Sequence, residues 1–179
     1  MFAPTWVLKG EQMQADDVRM TFDYSYWAMD RLIIDLEQLT QAEFSAPAEV
    51  PHGSLQALLA HTLSAEHFQR AWWQGKPMAW QRESFEEPET PAAFRDAWKA
   101  NEGEMRAFIA TLSDQDLRRP VSMEPRQHGS LPLGLLVQHI ANHTMQHRTE
   151  AAIVLTRAGH SPGDLDLLFY ALARGMAEA

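Results

Sequence analysis

The chain has no cysteine. That one absence removes disulfides, thiolate catalysis, iron–sulfur clusters and cysteine-based zinc sites. Basic residues are also in deficit, 15 Lys and Arg against 24 Asp and Glu, for a net charge of −9. A surface so acidic repels phosphate, so neither nucleic acid nor an anionic membrane is an expected partner. No apolar run has the length and purity of a membrane span. The opening MFAPTWVLKGEQMQ has no basic region followed by an apolar one. No signal peptide is therefore expected, and the cytosol is the default location. Repeats, low-complexity runs and convincing alternating strands are lacking too. The 179 residues suit one domain with an ordinary globular balance, 45% hydrophobic and 22% charged.

What is present is helical periodicity. Phe22, Tyr26, Met29, Ile33 and Leu36 mark one face of a helix from about Thr21 to Leu39. A second helix should start after Ser54, an N-cap residue, and stop at Gly75 and Pro77. Its expected inner stripe is Leu55, Leu58, Ala65, Phe68 and Trp72, with His61 inside it. Thr90-Pro91 opens a third helix. A fourth runs from after Ser130 to about Arg157, and a short fifth spans about Leu165 to Ala173. Arg119–Gly129, broken by two prolines, reads equally as loop or short hairpin. Four amphipathic helices and a short fifth predict an all-α antiparallel four-helix bundle in a single domain, 1–179. Residues 1–16 would form an N-terminal arm.

Three of the eight histidines crowd into QHIANHTMQH: His139, His143 and His147. Spacing by four puts successive side chains one turn apart on one face. Leu136, His139, His143, His147, Glu150 and Val154 make a stripe where a bundle helix usually carries Leu or Ile. Imidazoles in such a stripe need partners, and a divalent ion is an efficient shared one. His61, on a facing helix, is the natural third ligand. The bland alternative is hydrogen-bonded or surface histidines. His52, His67, His128 and His160 receive no role.

Two familiar metal patterns fail. HTMQH has Thr144 where a zinc protease carries its Glu, and no E-x-x-H pair falls on an expected helix, so a di-iron bundle lacks its ligands. A three-histidine mononuclear site remains, with a coordination position open for bound water. Zn, Ni, Co and Cu all suit such ligands. Asn142, Glu150, Asp23, Tyr24 and Tyr26 are candidate supporting groups. Glu66, about 140° round the helix from His61, is expected to point elsewhere. Trp27, Trp72 and Trp73 read as core or cavity wall.

The stretch HIANHTMQHRTEAAIVLTRAGHSPGDLDLLFY resembles the ending of the DinB-like, or YfiT-like, family of metal-dependent proteins. The matching residues are His139, Asn142, His143, His147, Arg148, Gly159, Asp166 and Tyr170. SLQALLAHTLSAEHFQRAWWQG resembles that family's second helix and YWAMDRLIIDLEQL its first, so the likeness covers about residues 20 to 172. The resemblance implies a four-helix bundle, often dimeric, with one divalent ion held by His61, His143 and His147. It leaves His139 beside the ligands. Its better-known branches use low-molecular-weight thiols, which implies an S-transferase-type reaction on a small electrophile, with zinc or nickel. The alternative is a non-catalytic metal-binding or stress-response protein. One departure stands out: many members read His-Arg-Gly-Gln where this chain reads His147-Arg148-Thr149-Glu150.

Overall fold

A computed structural model describes residues 13–77, 85–123 and 128–176. Four long helices dominate: α1 (Ala15–Leu36), α3 (Leu55–Trp73), α4 (Pro91–Ala110) and α6 (Leu133–Arg157). Short helices α2 (Gln41–Ser45), α5 (Asp114–Leu117) and α7 (Leu167–Ala173) join or flank them. Strands β1 (Pro120–Ser122) and β2 (Ser130–Pro132) pair antiparallel, Val121 opposite Leu131. The expected all-α bundle forms, and Pro120–Ser122, within the stretch read equally as loop or hairpin, is one strand of a small ribbon.

Local chemistry explains the boundaries. Ser54 and Thr90 cap α3 and α4 by accepting from the Ala57 and Ala93 amides. Thr40 with Glu43, and Ser113 with Asp116, form capping boxes that create α2 and α5, two helices not foreseen from periodicity. The first helix begins earlier than expected. Ala15 is already helical, and its amide donates to Asp114 Oδ1 at 2.8 Å. The arm expected over residues 1–16 therefore ends before Ala15, and its first twelve residues lie outside the described ones. The helix after Ser130 starts instead at Leu133, because Ser130–Pro132 pair as a strand.

Around the bundle, α1 touches α4 and α6, and α3 touches the same two. Ion pairs Asp23–Arg106, Asp30–Lys99 and Glu37–Arg95 show that α1 and α4 run in opposite directions. His61 meets His143 near the middle of α3 and α6, while Arg119, just before β1, donates to the Trp73 carbonyl at the end of α3. Those two helices are likewise antiparallel. The chain thus goes up along α1, down along α3 and α4, and up along α6.

The core is mainly apolar, with Phe22, Met29, Leu32, Leu58, Phe94, Trp98, Val137 and Ile140 buried. A polar network crosses its centre. Glu66 is fully buried and takes hydrogen bonds from Tyr26 Oη (3.2 Å), Asn101 Nδ2 (3.0 Å) and Thr144 Oγ1 (2.8 Å). Buried Arg70 donates to Asn101 and to Glu104. All four long helices meet in this network. The inner face of α3 is accordingly rotated from the expected stripe. Glu66 and Arg70 are buried, whereas Ala65, Phe68 and Trp72 are only half-buried. Hydrogen-bond partners on three other helices offset the cost of burying the two charges.

Burial pushes the Glu66 carboxyl up to about 7, against hydrogen bonds from Thr144, Tyr26 and Asn101 that favour the anion. The folded pKa lies above the unfolded one. This contribution is present in full below the ordinary carboxyl range and is lost as pH rises through about 7. Glu66→Gln is therefore expected to lose less stability than the parent between pH 5.5 and 8.5. Thermal melts at the two pH values test this, and parallel losses in both proteins would show that Glu66 does not carry the effect.

Candidate metal centre

His61 projects from the middle of α3 toward α6, and His143 and His147 project back from α6. Their ring centroids form a triangle of 5.0 Å (His61–His143), 5.1 Å (His61–His147) and 4.5 Å (His143–His147). With metal–nitrogen bonds of roughly 2.0–2.1 Å, a ring centroid lies roughly 3.2 Å from the ion, so two ligands at 90–110° have centroids roughly 4.5–5.2 Å apart. All three sides of the triangle fit that window. The Nε2 atoms of His61 and His143 are 3.1 Å apart, close to the roughly 3.3 Å between nitrogens on one tetrahedral ion.

The protonation states suit ligation. Burial, then the neighbouring imidazoles, pushes His143 down to about 4. Burial and the charges of His52 and His147 lower His61 as well. Both rings are neutral at pH 7, the form that binds metal. His143 Nδ1 is buried with no hydrogen-bond partner, so protein groups do not satisfy this ring. His147, buried, pairs through Nδ1 with Glu150 Oε2 at 2.7 Å. A carboxylate only accepts, so the His147 Nδ1–H is the donor of this bond, and Nε2 is the ring nitrogen that Glu150 does not engage. The departure from His-Arg-Gly-Gln thus supplies a carboxylate that orients His147.

Other residues fall differently. His139 is exposed, its ring 6.1 Å from that of His143. The stripe drawn through all three α6 histidines does not stay inside the bundle. A step of four residues overshoots a 3.6-residue turn by about 40°, so the run winds from surface to core. His139 is exposed, His143 half-buried and His147 buried. Asp23 pairs with Arg106, and Tyr24 accepts from Arg148 at 3.0 Å. Tyr26 serves Glu66. Asn142 is exposed in a groove with Asp17 and Thr21 of α1. None of these four supports the cluster. Glu66 does point away from His61, as expected, but into the core.

The residue missed from sequence is His52. It sits in the turn before α3, stacked on His61 with centroids 4.0 Å apart. A nitrogen of each of His52, His61 and His147 lies within 4.8 Å of the others, a grouping able to hold a metal ion that includes two of the three expected ligands and not His143. Pro51-His52-Gly53-Ser54, a turn leading directly into the N-cap of the ligand helix, was the only signal.

The DinB family's sequence profile matches residues 13–177. The chain belongs to the DinB family. No curated protein sequence matches it. Among solved structures, it resembles a DinB-like protein from Bacillus cereus ATCC 10987, with TM-score 0.65 and 16% identity over 84% of this chain and 97% of that one. It also resembles the colibactin self-resistance protein ClbS, solved in complex with a double-stranded DNA, with TM-score 0.56 and 12% identity over 79% and 95%. A third likeness is to the mycothiol-dependent maleylpyruvate isomerase, with TM-score 0.54 and 12% identity over 78% of this chain and 63% of that one. At such identities these likenesses establish the fold of this DinB-family chain.

ClbS corrects one expectation. Net acidity was taken to exclude nucleic acid, yet a protein of this fold is solved with DNA bound. Net charge is a sum over the whole surface and does not describe any one face of it. The exclusion is withdrawn. For membranes, no helix among the described residues is long and apolar enough to cross one.

The Glu150–His147 bond carries its own test. If the cluster holds zinc through His147, Glu150→Gln is expected to keep the fold and weaken that binding ~10- to 100-fold, the usual cost of losing a ligand's orienting partner. Competition with a chromophoric chelator measures this, and unchanged affinity would show that the carboxylate does not position the ring.

Proposed function

We propose that this DinB-family protein binds one divalent ion, zinc or nickel, through His61, His143 and His147. We propose further that the ion serves S-transfer from a low-molecular-weight thiol to a small electrophile. The observation that carries the reading is the centroid triangle of three imidazoles from two facing helices. The isomerase of the same fold that depends on mycothiol favours a thiol as the co-substrate.

When bound, the ion would lower the pKa of a thiol or water at its remaining position. The chain's residues supply the rest. His61 and His143 present lone pairs without deprotonation, since burial already keeps them neutral. Glu150 holds His147 in the ligating tautomer. The neutral ligand set leaves the ion's charge undiminished, which favours an anionic sulfur beside it. With no cysteine in the chain, the attacking sulfur must come from the small thiol. The thiol would give its proton to solvent, and its sulfur lone pair would form the new carbon–sulfur bond while the electrophile's leaving group departs with the electron pair of the bond it breaks.

The chain purified without a histidine tag should carry about one zinc or nickel, measured by mass spectrometry, and His61→Ala and His143→Ala should lose it. The loaded protein should consume a thiol in the presence of an electrophile, and the stripped protein should not. No metal in the parent after reloading would end the reading. Bound metal with no turnover across several thiols and electrophiles would favour the non-catalytic metal-binding alternative.

A further inference from the structure

The three proposed ligands do not complete a tetrahedral shell, and a fourth imidazole stands at the exposed side of the cluster. His52 belongs to no helix and is exposed, whereas His61 and His143 are half-buried and His147 is buried. Its ring stacks on His61, 4.0 Å between centroids with the planes 23° apart, and meets His147 edge-on at 5.7 Å. These two distances bracket the roughly 4.5–5.2 Å expected between rings that share an ion. The His52 ring therefore stands beside a ligand position rather than in it. One of its nitrogens is nonetheless within 4.8 Å of a nitrogen of both neighbours.

The backbone supplies a second, independent observation. His52 has φ of 71°, the only non-glycine residue among the described ones with positive φ. A residue with a Cβ occupies this region at a cost, and such outliers persist where the surroundings over-determine them, often at functional sites. Here the surroundings are a tight turn. The Ala48 amide donates to the Gly53 carbonyl at 2.9 Å, and the Gly53 amide to the Val50 carbonyl at 3.1 Å. Pro47 and Ser54 bridge its ends, and Ser54 caps α3. The turn is thus fastened to the helix that carries His61. Glycine would adopt this conformation without the cost, yet the chain places an imidazole there, over two other imidazoles.

We propose that His52 is a fourth, exchangeable ligand of the same ion, filling the position that the three-histidine centre leaves open and yielding it to an incoming thiol. The proposal rests on the three-histidine reading. A fourth nitrogen completes a tetrahedral shell for zinc. The helical ligands are held by their helices. His52 is held by an exposed, strained turn, so it is the ligand whose release disturbs least of the fold. The resting site would be closed by protein, and a soft sulfur ligand would open it.

Cobalt(II) added to the full chain, read by its visible absorption, tests this. Parent, His52→Phe, His52→Gly and His143→Ala are compared, with circular dichroism to verify folding. Phe keeps a ring to stack on His61 but has no nitrogen, and Gly removes both the ring and the backbone strain. Both His52 variants are expected to bind one cobalt with ~10- to 100-fold weaker affinity and an altered spectrum. Free imidazole should restore the parent spectrum to His52→Gly. 2-Mercaptoethanol should give a sulfur-to-cobalt band at lower concentration in His52→Gly than in the parent, which must first lose an imidazole. If His52→Phe matches the parent in affinity and spectrum, the ring merely stacks and the proposal fails, while the three-histidine centre stands. If the parent binds no cobalt, or His143→Ala binds it as well as the parent, the underlying reading fails and this one with it.

Discussion

The meeting of α3 and α6 is the constraint on which the rest of this molecule depends. Two antiparallel helices place His61 opposite His143 and His147, and, deeper in the bundle, Glu66 opposite Thr144. The outer contact is a cluster of imidazoles; the inner one is a buried carboxyl. Neither set of polar groups belongs naturally in a helix interface: the carboxyl finds its partners on the other helices, whereas the His143 Nδ1 is left without one. The Glu66 network therefore does for the core what an ion would do for the histidines. It gathers groups from four helices at one point, so the helices cannot slide past one another without leaving polar atoms unpaired.

That inner network also braces the histidine cluster. Thr144 lies between His143 and His147 in sequence, and its hydroxyl is tied to Glu66. The turn of α6 carrying both histidines is thereby anchored from below, while Glu150 holds His147 from its far side. Metal sites need side chains whose orientation is fixed by a supporting shell. Here one support comes from the core and the other from the same helix. The side toward His52 has no comparable support, only a short exposed turn. This asymmetry, braced on the helical side and not on the other, is compatible with the proposed exchange of a ligand at His52.

DinB-family membership and the fold go together, but chemistry does not follow from either. Proteins of this fold include one solved with DNA and one that depends on mycothiol. What this chain offers for chemistry are local features: the carboxylate at position 150, the histidine at position 52 and the absence of any cysteine.

Several features of the chain were legible in order. Apolar periodicity marked the four long helices, the Ser54 and Thr90 caps marked where two of them begin, and the i, i+4 histidines marked a chemical face. These are local properties, set by neighbours within one turn, and local sequence carries them. Position around a helix was less secure, because spacing by four drifts against a 3.6-residue turn and so left His139 outside. Glu66 looked peripheral because its burial depends on Tyr26, Asn101 and Thr144, which arrive from three other helices. His52 looked idle because a turn has no period from which its direction can be read. The sequence by itself determined the four long helices and the histidine face of one of them. Only the tertiary structure decided which imidazoles converge and which carboxyl is buried, because both depend on distances between segments far apart in the chain.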